Sequence, residues 1–249
     1  DVLGSRGLGD VYKRQMKYDF EDYRADINTS NYMVSKLLAK NTGQCHSMPL
    51  LFLILAEELE TEAFWCFSPS HSFIKFQDKQ NRWYNIELTQ GAVVTDDFYM
   101  NSGFIKSKAI QTGIYLNPRT MKQTIAHMLN DLSAYYISRY GYDHFIEENS
   151  NLVLRYSPSD LTAYQHYANI CTVQAQYVID ACGRPPKEQL PEYPQAHHLF
   201  KKMLQSYEKI DSLGYEEMPA EIYHNWLKQV DKAKTLPENQ PSPIIQIKK

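Results

Sequence analysis

The chain reads as an α+β domain followed by an all-helical one. Three observations predict this. A nearly unbroken apolar run, residues 50–56 behind Pro49, marks a buried central helix. Three short segments with strand alternation follow between residues 63 and 88. From Asn117 onward, apolar residues recur at spacings of three and four, and the breaks carry helix-cap residues.

Composition bounds the reading. The chain has 249 residues, 43% of them apolar, enough for one large or two small cores. A net charge of −3 with both signs dispersed leaves no nucleic-acid footprint. There is no P-loop and no glycine fingerprint, so no cofactor is expected, and the longest apolar run is far too short to span a bilayer. The 19 tyrosines read as helix-packing material rather than as a site. Residues 1–15 (DVLGSRGLGDVYKRQ) hold three of the ten glycines and no periodicity. They resemble translated adapter sequence, so the native N-terminus is expected to be missing and the want of a signal peptide says nothing of location.

The four cysteines do not read as a disulfide framework. Cys171 and Cys182 lie on one predicted helix roughly 16 Å apart, beyond disulfide reach. Cys66, within Phe64-Trp65-Cys66-Phe67, reads as a packed core thiol. No CxxC or histidine-rich spacing points to structural zinc. A zinc site of Cys45, His46, His71 and Glu87 is disfavoured because adjacent ligands 45 and 46 diverge on a helix.

In chain order, a short helix is predicted over 31–38, then a break at Gly43. The central helix should begin at Cys45 and run to about Leu59, apolar nearly all round and covered on most sides. Pro49 fits its first turn, where a missing N–H costs nothing. Strands are predicted over 63–67, 71–77 and 82–88, the last two joined as a hairpin through Asp78-Lys79-Gln80-Asn81. Alternation puts Ile74, Phe76, Tyr84, Ile86 and Leu88 on one face and His71, Phe73, Asn85 and Glu87 on the other. An odd loop centred on Lys79 sets His71 opposite Glu87. An even loop would set Leu88 beside His71 and leave the ring without a polar partner. Short helical turns are expected at 96–101 and 106–112.

In the helical half, Asn117-Pro118 reads as a cap followed by a first-turn proline. Met121, Ile125, Met128, Leu132, Tyr135 and Tyr136 trace one face to about Tyr140. Ser157-Pro158-Ser159-Asp160 reads as a second helix start, and the stripe Leu161, Tyr164, Ala168, Cys171, Ala175, Val178 and Cys182 stops at Gly183 before Pro185-Pro186. Helices over 195–213 and 219–234 and a loose tail complete the chain. Histidines 127, 144, 166, 197, 198 and 224 read as scattered and mostly exposed. Leu154-Arg155-Tyr156-Ser157-Pro158-Ser159-Asp160 resembles the helix-A end and helix-B start of a tetratricopeptide repeat, interrupted by a proline-rich insert at 184–194. The expected domains are 1–15 (adapter-derived), 16–117, 118–235 (helical, tetratricopeptide-like) and a disordered tail, 236–249.

A thiol at the mouth of a buried helix is where a cysteine nucleophile is expected, because the helix N-terminus favours the thiolate. Gly43-x-Cys45, then Ala63 leading a hydrophobic strand, then His71-Ser72-Phe73 and Trp83-x-x-Ile86-Glu87-x-Thr89, resemble in order the bacterial transglutaminase-like superfamily, a papain-type fold. The resemblance covers roughly residues 31–90. It implies an α+β papain-like core with a central cysteine helix against an antiparallel sheet, Cys45 as nucleophile, His71 as base and Glu87 as orienting acid. Glu87 stands where aspartate is usual, and Asn85 on the same face is a second candidate for that third role. Glu60-Thr61-Glu62 replaces the usual small-residue turn.

The chemistry makes the same demands without the name. The imidazole needs its far nitrogen held, and the oxyanion needs backbone donors at the helix start. His46 should point away along the helix. Two functions are therefore expected of this pattern: a thiol hydrolase or acyl transferase acting on peptide or amide bonds through a Cys45 thioester, or an inactive scaffold whose helical half binds a peptide or protein. Expected partners are a peptide or protein substrate and a protein partner on the helical half, with no nucleic acid. Similar bacterial proteins are often exported, which leans towards the periplasm.

Overall fold

The computed structural model describes residues 16–89, 91–102, 104–219, 221, 222 and 225. The adapter-like 1–15, the tail 236–249, His224 and most of the helix expected at 219–234 lie outside the described residues. The chain divides into two compact units, Ile105–Glu217 and the residues up to Phe104 together with those from Met218 on. The expected boundary at 117/118 is thus displaced to 104/105. The cause is local: the Thr112 hydroxyl donates to the Leu213 carbonyl at 2.6 Å, and Gly214 packs on the Ala109 backbone, where a Cβ would meet the nitrogen at 2.7 Å.

The first unit opens with β1 (Lys17–Tyr18), which pairs in parallel with β2 (Thr42–Gly43), Tyr18 opposite Gly43. Neither two-residue strand has a sequence pattern. Lys36 Nζ ties them together through Asp19 Oδ2 (2.8 Å) and the Thr42 carbonyl (2.9 Å). The helix expected over 31–38 is divided into a 3-10 turn, Thr29–Tyr32, capped by Asn28, and α1 (Val34–Lys40), ended by left-handed Asn41. α2 (Ser47–Glu58) starts two residues later than expected, with Cys45 and His46 in the turn leading into it. Its hydrogen bonding already begins at the Gln44 carbonyl, which accepts from the Met48 N–H (3.1 Å). Leu50 and Leu53 pack against Trp65 and Ile74, with Phe67, Ile86 and Leu88 around them. Ile54 and Leu55 remain about half exposed, so the helix is open on one side rather than covered on most.

β3 (Phe64–Ser68), β4 (His71–Gln77), β5 (Trp83–Glu87) and β6 (Ala92–Val94) form an antiparallel meander. The β4–β5 register differs from both expected versions. Ile74 faces Ile86 and Lys75 faces Asn85, so the hairpin is centred on Gln80 rather than Lys79. Asn81 adopts a left-handed conformation (φ 59°) and donates to the Asp78 carbonyl, while Asp78 Oδ1 accepts from the Gln80 and Arg82 N–H groups. This is a three-residue turn with a left-handed third position, which asparagine tolerates. The slip is two residues rather than one, so the face assignment survives: His71 and Glu87 are diagonal neighbours on one face. That face is covered by α3 (Asp96–Ser102), where Tyr99 stacks on Phe73 at 3.8 Å and Asp96 accepts from Lys75 and Asn85.

The second unit runs α4 (Ser107–Gln111), α5 (Met121–Tyr140), α6 (His144–Tyr156), α7 (Leu161–Ala181) and α8 (Pro194–Ser212). From α5 on, each helix packs on the next. The α5 cap is Thr120, not Asn117: Thr120 and Gln123 exchange the two bonds of a capping box. The backbone before it places Arg119 on Asp160 and Ser157, both at 2.8 Å. Asp160, the expected start of α7, is its N-cap and is fully buried, accepting also from His127 Nδ1 (2.7 Å) and Asn130 (3.1 Å). His127 is therefore a buried network member, not an exposed residue. It lies on the polar buried face of α5 with Asn130, Asp131 and Ser133, while the apolar face traced by Met121, Ile125, Met128, Leu132 and Tyr135 is exposed. Gly183 (φ 81°) ends the α7 region as expected.

Candidate active site

Gly43 is what lets the thiol sit where it does. A Cβ there would come 2.8 Å from Ser47 Oγ and 2.9 Å from Leu37, so only glycine allows β2 to pass this close to α1 and the first turn of α2. The turn is fastened by the Cys45 carbonyl, which accepts from Ser72 Oγ, and Ser72 in turn accepts from Trp65 Nε1 at 2.9 Å. Gln44 Oε1 accepts the His46 N–H (2.9 Å) and faces Cys45 Sγ at 3.3 Å. His46 turns its ring edge-on to Trp65 (4.5 Å) and Tyr32 (5.2 Å), packing as expected of a bystander.

His71 opens β4 at the end where Cys45 lies. Its Nε2 is 2.6 Å from Glu87 Oε2, which leaves Nδ1 for the sulfur. Burial pulls the imidazole pKa down. The Glu87 charge and the interaction with Cys45 outweigh it and push the value up to about 10. The ring is therefore an imidazolium at neutral pH. Glu87, only 2% exposed, also accepts from the Thr89 N–H (3.0 Å), the Thr89 hydroxyl (2.6 Å) and the Tyr99 hydroxyl (3.0 Å). Burial alone would raise its pKa, but His71 and the Thr89 donors hold it below the usual carboxylate value. The longer glutamate side chain suits a diagonal span that the register imposes.

Of the four residues expected at the site, Cys45, His71 and Glu87 are brought together. Asn85 is not a neighbour of the imidazole. Its amide donates to Asp96 Oδ1 at 2.9 Å, because the two-residue slip sets it opposite Lys75 instead of Phe73. Two tyrosines belong to the site although the sequence suggested only packing roles for them. Tyr99 donates to Glu87, and Tyr18 on β1 is near enough to Cys45 that, after burial, Cys45 and Glu87 push the phenol pKa up. No periodicity could have revealed Tyr18, since a two-residue parallel pairing brings it to the turn.

The other three cysteines form no disulfide and differ in setting: Cys66 and Cys171 are buried, and Cys182 lies at the end of α7. Among the described residues no cluster of three or more His, Cys, Asp or Glu could hold a metal, and no helix is long and apolar enough to cross a membrane. No protein-family profile, curated protein or solved structure matches the chain.

Proposed function

We propose that the first unit is a thiol hydrolase or acyl transferase that cleaves peptide or amide bonds through a thioester on Cys45. The observation that carries this reading is the 2.6 Å contact between His71 Nε2 and the buried Glu87 carboxylate beside the thiol. Glu87 fixes the ring and its charge, and the ring pairs with the sulfur by its other nitrogen. In the reaction, the thiolate adds to the carbonyl carbon. His71 then gives its proton to the leaving amine, and water or a second amine resolves the thioester. A helix with the thiol at its mouth, packed on an antiparallel sheet, supports a papain-like core of the transglutaminase-like kind. Consecutive packed helices in the second unit support a tetratricopeptide-like module that binds a peptide or protein.

The test is alkylation with iodoacetamide near neutral pH, read by mass spectrometry. Cys45 should label selectively and ahead of Cys66, Cys171 and Cys182, and His71→Ala should abolish that preference. Equal, slow labelling of all four thiols favours the inactive scaffold.

A further inference from the structure

We propose that Gln44 holds the resting Cys45 as a protonated thiol: its side-chain oxygen accepts the S–H and opposes formation of the thiolate. The inference rests on Cys45 being the nucleophile.

Gln44 is built into the turn. It is 2% exposed, its N–H donates to Ser47 Oγ (3.2 Å) and its carbonyl accepts from the Met48 N–H (3.1 Å). At the end of the side chain, Oε1 accepts the His46 N–H (2.9 Å) and lies 3.3 Å from Cys45 Sγ. A flipped amide would set an NH2 group against the His46 N–H, donor facing donor, so the atom that meets the sulfur is the oxygen. An amide oxygen carries lone pairs and no proton. Towards a thiol it is a hydrogen-bond acceptor; towards a thiolate it is the negative end of a dipole.

The groups around the sulfur leave this contact its weight. The start of α2 and His71 on β4 favour the thiolate, but the His71 charge is already paired with Glu87 on β5 at 2.6 Å. Glu87 is a buried anion and disfavours a second negative charge nearby. Burial raises the Tyr18 phenol on β1 above its usual value, so it adds no charge. His46 turns its ring to Trp65 and Tyr32. At rest the site thus holds one complete ion pair and a neutral thiol. On ionisation the S–H bond breaks, its electron pair stays on sulfur, and the proton passes to solvent, which the partly exposed Cys45 meets. The thiolate is also the form that oxidants and alkylating agents attack, so the same contact shields the idle nucleophile.

The test is the pH profile of Cys45 alkylation by iodoacetamide, read by mass spectrometry, in wild type and in two variants with opposite expected signs. Gln44→Leu removes the oxygen and should move the midpoint down by about one pH unit, a gain of about tenfold in rate on the rising limb. Gln44→Glu keeps an acceptor for the His46 N–H and adds a negative charge, so the midpoint should move up. A turn that has merely loosened moves both variants the same way, and that result overturns the proposal. An unchanged midpoint in Gln44→Leu, shown by a thermal melt to be folded, overturns it as well. Should Gln44→Leu fail to fold, the wild type decides, by Raman difference against Cys45→Ala at neutral pH. An S–H stretch below the frequency of an unbonded thiol supports the contact; an unshifted band, or none, overturns it. If wild-type Cys45 labels no faster than the other thiols at any pH, the nucleophile itself is overturned and this inference falls with it.

Discussion

Glu87→Gln changes one atom of a carboxylate that accepts four hydrogen bonds, and the structure fixes how the amide must settle. At the Oε1 position an NH2 group would face the Thr89 N–H, which cannot turn away. The amide nitrogen therefore takes the Oε2 position, towards His71 and Tyr99. Tyr99 can rotate to accept. His71 can accept on Nε2 only as a neutral ring with its proton on Nδ1, so it no longer brings the sulfur the positive charge that favours the thiolate. With the carboxylate charge gone, burial acts on the imidazole with much less opposition. Its pKa should fall from about 10 to 6.5 or lower. That fall corresponds to a coupling on the order of 5 kcal/mol, at the top of the roughly 3–5 kcal/mol lost when one partner leaves a buried ion pair. Thioester formation should drop on the order of 10⁴-fold, as wrong-tautomer variants of comparable triads do. The assay is an NMR titration of the His71 ring proton in both proteins, with denaturant unfolding alongside. A His71 that titrates near 10 in the variant, or near 6.5 in the wild type, refutes the reasoning.

The pH dependence of stability has a definite sign. His71 is raised above its ordinary 6.5, so its contribution is full below that value and is lost as pH climbs towards 10. Glu87 is lowered below 4.5, so its contribution is present above that value and is lost as acid protonates the folded carboxylate. The stability of the first unit should therefore be greatest between roughly 4.5 and 6.5, and His71→Ala should flatten the alkaline decline in melts taken across pH. Asp160→Asn should cost the helical unit about 3–5 kcal/mol by taking the buried carboxylate charge away from Arg119 and His127, measured by urea unfolding. Gly43→Ala should cost about 1–3 kcal/mol in a melt, because its methyl meets Ser47 and Leu37 below contact distance, and it should also slow Cys45 labelling.

Segments whose apolar spacing is self-contained were legible in the sequence. The α2 helix, strands β3 to β5, the short helices α3 and α4, and the Asp160 start of α7 all lie within a residue or two of where patterning puts them. What failed depended on partners distant in sequence. The Asn117-Pro118 cap lost to Thr120 because Arg119 is drawn to a carboxylate 41 residues away. The hairpin centre moved because Asn81 takes a positive φ that no hydrophobic pattern records. The polar inner face of α5 was hidden by a better apolar stripe on its outer side. At the site, residue order was enough to select Cys45, His71 and Glu87. Choosing Glu87 over Asn85 required the register, and finding Tyr18 required a pairing between residues 17–18 and 42–43.

The turn at Asp78–Arg82 acts as a molecular ruler. Removing a single residue from it would rotate β5 by half a pleat and carry Glu87 to the side of the sheet occupied by the Trp65 cluster. Removing two lets Gln77 and Trp83 close a three-residue loop of the same kind, so Glu87 stays opposite Phe73 and keeps its diagonal reach to His71. The acid thus depends on whether the turn is odd or even rather than on how long it is: a designer can shorten this loop by a pair of residues and keep the glutamate, but not by one.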